Sequence, residues 1–158
     1  MLAHLKTEDE QLVDTVSDAL YERIGDDSIF SLPPVPRVVT IVLALQGVTN
    51  NGGFIYFFEA DWPGKPPYSV FADAFRAIGA DETTECIEVA ASVFPFTEPH
   101  LHGDARRDYL RDHCMIDGRT NDSATLVKLG DRVIDNSDTN YGLLAEYIRK
   151  HLDEIRNA

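Results

Sequence analysis

The segment VVTIVLAL, residues 38–45, places the strongest constraint on how this chain folds. A helix built from it is apolar nearly all round, has no face to offer water and belongs at the centre of a core. Prolines precede it in Ser31-Leu32-Pro33-Pro34-Val35-Pro36, a rigid connector whose Pro36 suits the first turn of a helix over residues 37–48. The β-branched Val38, Val39, Ile41 and Val42 would also suit a strand. Asn50-Asn51-Gly52-Gly53-Phe54 follows directly. Glycine accepts positive φ and lets backbones approach, so this run predicts a sharp change of direction, with an Asn such as Asn51 capping the next helix. Phe54, Phe57 and Phe58 then turn into the core.

The remaining segments read as helices. Thr7 and Glu10 have capping-box spacing and open a helix over residues 8–24, ended by Gly25-Asp26-Asp27. Its Leu12, Val13, Val16, Leu20 and Ile24 recur at helical intervals. Further helices are expected over 68–78, 81–94, 104–113, 123–134 and 141–155, with Trp62-Pro63-Gly64-Lys65-Pro66-Pro67 as a loop. No segment alternates as a strand pair would. The expectation is an all-α fold, one compact domain of about seven helices over residues 1–158.

The chain is long enough for one domain with a real core. Its 44% hydrophobic content excludes wholesale disorder, while 27 Asp and Glu against 14 Lys and Arg leave a net charge of -13. Such a charge repels nucleic acid and anionic membranes, so neither is expected as a direct partner. The apolar run at 38–45 falls well short of the roughly 20 residues that cross a bilayer. The amino terminus turns acidic at once without an apolar leader, and the cytoplasm is the expected compartment. Cys86 and Cys114 match no metal-finger or redox spacing.

Beyond these readings, NGGFIYFFEAD and AFRAIGADETTECIEVAASVFP resemble the bacterial DNA-mimic protein family, otherwise catalogued as a domain of unknown function. The pattern is carried by Asn51, Gly52, Gly53 and Phe54, then Phe57-Phe58, Ile78 to Ala80 and Phe94-Pro95. Leu129-Gly130-Asp131-Arg132 and Tyr147-Ile148-Arg149-Lys150-His151 are similar to the family's closing helices, so the likeness spans about residues 35–155. It implies a protein that presents carboxylates where DNA presents phosphates. The Asn-Gly-Gly-Phe residues themselves fit a structural role, a tight turn into a buried helix, and no functional residue carries over by alignment.

The acidic surplus is segmented. Residues 1–30 hold eight acids and two bases, residues 81–122 hold ten acids and four bases, and the stretch between them balances. Glu10, Asp14, Asp18 and Glu22 form an i, i+4 row with no base in it, opposite the Val16 and Leu20 face. Each like-charge step costs a helix about 0.2–0.5 kcal/mol, a cost that a merely solubilising face avoids by alternating signs. Asp81, Glu82, Glu85 and Glu88 form a second acidic face. Asp104, Asp108 and Asp112 form a third, which Arg107 and Arg111 partly neutralise. One row carries a carboxylate per about 6 Å against a DNA strand's charge per about 3.4 Å, so two such helices must lie side by side to match it.

These carboxylates are the expected contact surface for a basic DNA-binding protein, a transcription factor or a nucleoid protein. Two alternatives within the binding class are an immunity or antitoxin-like inhibitor of a basic nuclease, and an adaptor anchored by the aromatic loop from Trp62 to Tyr68. An enzyme is not expected, because there is no nucleophile elbow and no Gly-rich phosphate loop. His100, His102 and His113 with Asp104 and Cys114 lack a recognisable ligand spacing, so no metal and no cofactor are expected.

Overall fold

The computed structural model describes residues 6–25 and 27–157. The first five residues, where a leader would begin, and Asp26, part of the expected helix stop, lie outside them. The fold is all-α: α1 Glu8–Ile24, α2 Pro34–Glu59, α3 Ser69–Ala77, α4 Asp81–Val93, α5 Gly103–Cys114, α6 Thr125–Asp135, α7 Ser137–Lys150 and α8 Leu152–Arg156. Helix α1 starts where its capping box predicts. Thr7 Oγ1 accepts the Glu10 N–H at 3.2 Å, and the Glu10 carboxylate accepts the Thr7 N–H at 3.1 Å.

Helix α2 is the central element and takes α1, α3, α5, α6 and α7 against it. The 38–45 run is helical, and Val39, Ile41, Val42 and Leu45 are buried. Pro34 and Pro36 sit in its first turn, where a missing N–H costs nothing. At 26 residues α2 is long and apolar enough to cross a membrane by length and composition alone. Half of that apolar stretch is buried beneath the surrounding helices.

At Gly52 and Gly53 the helix breaks and restarts in a new direction. Gly53 has φ 69°, the left-handed region that the Asn-Gly-Gly reading called for. A Cβ on Gly52 would lie 2.2 Å from the Tyr56 ring, and one on Gly130 of α6 would lie 2.7 Å from the Phe54 backbone nitrogen. The kink is therefore clasped from both sides. Asn51 departs from its expected role: it is exposed and makes no side-chain hydrogen bond among the described residues, and the glycines alone restart the helix. Gly53→Val should cost about 1–3 kcal/mol of stability in urea unfolding, the penalty for forcing a β-branched residue to positive φ. An unchanged midpoint would remove this account of the motif.

The kink aims the aromatic cluster. Phe57 lies 4.8 Å from Phe58, 4.9 Å from Phe71, 5.6 Å from Tyr68 and 5.7 Å from Trp62, between ring centroids. Tyr68 is buried, and burial pushes its phenol up to about 12. Tyr68 thus belongs to the core, and Trp62 is half-buried and packs against it.

Two elements depart from expectation. A small antiparallel hairpin pairs Met115–Ile116 with Arg119–Thr120 around Asp117-Gly118, both at positive φ. Asp-Gly is a strong signal for such a turn, but two-residue arms are too short to show alternation. The last helix expected over 141–155 is two: α7 already begins at Ser137, one residue after α6, and the chain turns at His151 before α8.

Candidate partner-binding surface

The first acidic row lies on α1 as its periodicity predicts. Val13, Val16, Leu20 and Ile24 face the core, Asp18 and Glu22 are exposed, and Glu10 and Asp14 are half-buried. Six acids stand on this helix against one base, Arg23. Arg23 directs a guanidinium N–H to the Ile155 carbonyl at 2.6 Å. Lys6 pairs with Asp14, whose hydrogen bond and charge hold the lysine ammonium above its usual range, with Glu10 and Asp18 adding to the effect. Asp9 pairs with Arg149 of α7 at 2.6 Å.

The second and third rows are more nearly neutralised. On α4, Glu82 pairs with Arg132 at 3.0 Å and Glu88 with Arg76 at 2.5 Å. Asp81 and Glu85 make no ion pair among the described residues. On α5, Asp104 pairs with Arg107 at 3.0 Å, while Asp108 and Asp112 share Arg111 at 3.2 and 3.1 Å. Such exposed pairs add little to stability, but their cations cancel much of the local field.

Nor do the rows merge into one array. Helix α1 packs chiefly on α7 and α2, whereas α4 packs on α3 and α6. Beside α1, α7 brings Arg149, which pairs with Asp9, and Asp138 in its own first turn, a residue outside the acidic rows. An isolated acid among polar residues shows no period, so its only sequence signal is the favourable site for a carboxylate at a helix start. Asp138, Glu10 and Asp14 rim a groove of about 290 Å³ whose apolar lining is Val13, Leu43 and Tyr141. Burial raises the Tyr141 phenol, and the charge of Asp14 adds to the shift.

Asn51, Gly52 and Gly53 line a separate hollow of about 330 Å³ with Asp122 and Asp131. Burial, then Asp122 and Asp135, push the Asp131 carboxyl up. The histidines do not converge: His100 packs on Tyr68, His102 on Phe96 and His113 on Tyr109. Among the described residues, no group of three or more His, Cys, Asp and Glu is arranged to hold a metal ion.

The basic residue that sequence reasoning missed is Arg106. It lies among the charged residues of α5, yet its side chain is 1% exposed. Its guanidinium donates to the carbonyls of Phe58 at 2.8 Å, Pro99 at 2.7 Å and Ala60 at 3.2 Å, and to Asp61 at 2.6 Å. It thereby closes the carboxyl end of α2, where helical carbonyls lack partners. Its hydrogen bond holds the Asp61 carboxyl below the usual carboxylate range, with Arg107 adding to the effect. A carboxyl lowered in the folded state stabilises above its unfolded value of about 3.9, and that stabilisation is lost as pH falls through the folded value. Circular dichroism below about pH 4 should therefore show the native chain losing more of its stability than Asp61→Asn does over the same interval.

The sequence model of the DMP19-like protein family matches residues 30–151, and the chain belongs to that family. No curated protein and no solved structure shows significant similarity to it.

Proposed function

We propose that this chain is an acidic binding protein that occupies the DNA-binding surface of a basic nucleic-acid-binding protein, a DNA mimic that acts by association and not by catalysis. The observation that carries the reading is the α1 face, where Glu10, Asp14, Asp18 and Glu22 stand at i, i+4 spacing and Lys6 pairs with Asp14. Membership of the DMP19-like family is consistent with it. A DNA-binding surface gains affinity by neutralising phosphates and releasing counterions, and a carboxylate array offers the same attraction with different geometry. The α1 row is about half as dense as one DNA strand, and Asp138 of α7 supplies negative charge beside it.

The partner is a transcription factor or nucleoid protein, met in the cytoplasm, with no direct contact to nucleic acid or membrane. Affinity capture from the native host, washed with increasing salt and then with duplex DNA, tests this. The expected result is a basic DNA-binding protein released by both. A partner that holds the chain and DNA at once contradicts it.

A further inference from the structure

The groove between α1 and α7 is not a flat charged face. Its lining combines Val13, which is buried, with the half-buried Leu43 and Tyr141, and its rim carries Glu10, Asp14 and Asp138. The chain already seats one cation there. Lys6 reaches Asp14 from the segment before α1, yet its own side chain stays 61% exposed. A lysine so exposed is held weakly enough for another cation to displace it. Asp138 has no ion-pair partner among the described residues, so the rim keeps negative charge after Lys6 is counted.

We propose that this groove receives a basic amphipathic segment of the partner protein. One aliphatic or aromatic side chain of that segment rests on Leu43 and Tyr141, and one guanidinium or ammonium takes the place of Lys6 on Asp14, with Asp138 on the same rim. The proposal rests on the reading of α1 as the partner face. It adds that recognition is amphipathic, so charge alone does not select the partner. Phosphates arrayed on DNA offer no apolar floor, which gives this surface a means of choosing among basic proteins that DNA lacks.

The test uses the full chain, isotope-labelled, and two synthetic peptides of identical composition. In one, arginines and a leucine are spaced to share a helical face; in the other they are permuted so that no face forms. The amphipathic peptide should shift the amides around Val13, Leu43 and Tyr141 and bind about tenfold more tightly, the gain from burying one leucine. Leu43→Gln should abolish that difference, and Lys6→Gln should tighten binding by freeing Asp14. Should Leu43→Gln fail to fold, Asp138→Asn, an exposed change, should weaken the amphipathic peptide. Equal binding of the two peptides overturns the proposal. So do shifts confined to α4 or α5, or self-association of the chain through this groove in place of peptide binding. No DNA enters the experiment, so a native partner that fails to compete with DNA would defeat the mimic reading and leave this result standing.

Discussion

Arg106→Met should lower stability by about 3–5 kcal/mol, the usual cost of removing one partner from a buried ionic contact. That is a large share of the roughly 5–15 kcal/mol that holds a domain of this kind. Methionine keeps the aliphatic stem, so the loss is electrostatic and not a cavity. The Phe58 carbonyl, buried at the end of α2, loses this donor at a cost of about 1–3 kcal/mol, while the Pro99 carbonyl keeps the His102 N–H. The charge pair contributes less, because the Asp61 side chain is 47% exposed and also meets Arg107 at 3.2 Å. Two controls follow. Asp61→Asn should cost clearly less than Arg106→Met, since the three carbonyls keep their guanidinium. Arg107→Met, which removes only exposed contacts to Asp61, Asp104 and the Glu59 carbonyl, should cost less still. Urea unfolding of the three variants orders them, and a mild Arg106→Met would show that water replaces the guanidinium at these carbonyls.

Arg106 also marks where a linear reading stops. Asp-Ala-Arg-Arg-Asp looks like one charged surface turn, and nothing local distinguishes Arg106 from Arg107. The difference is set by carbonyls of Phe58 and Ala60, which only the tertiary fold brings within reach. The buried polar network has the same character. Gln46 donates to the Val133 carbonyl at 3.1 Å, and Asn140 donates to Gln46 at 2.8 Å and to Thr83 at 2.9 Å, tying four helices together. No periodicity announces such a contact between residues so far apart. Helix periods, the Thr7–Glu10 box and the positive φ at Gly53 were legible because each depends on a few neighbouring residues.

The acidic surface divides along the same line. That the α1 row faces outward could be read from its spacing against Val16 and Leu20. Which rows are neutralised could not, because Arg76 and Arg132 reach α4 from other helices. Nor could the neighbour of α1, which is α7 with its Asp138 and not α4. Of the eleven acids in the three rows, Glu82, Glu88, Asp104, Asp108 and Asp112 of α4 and α5 are paired, and Asp138 of α7 lies beside the α1 row.

The second large effect concerns that row. Asp14→Asn, Asp18→Asn and Glu22→Gln together remove three negative charges and relieve three like-charge steps worth about 0.2–0.5 kcal/mol each. Loss of the exposed Lys6–Asp14 pair offsets this only slightly, so the variant should remain folded with nearly native stability. Its affinity for the captured partner should fall by up to about a hundredfold, the product of three contacts near 1 kcal/mol each. The matched control changes Asp104, Asp108 and Asp112 to Asn. It removes the same number of charges from a helix whose acids are already paired.

The direct measurement is displacement of labelled duplex DNA from that partner by the native chain, the α1 variant and the α5 control, at low and at physiological salt. The native chain and the α5 control should displace DNA at similar concentrations, both less effectively as salt rises, while the α1 variant fails to displace it. Equal displacement by all three, or a complex in which partner, DNA and chain coexist, would contradict mimicry by the α1 face.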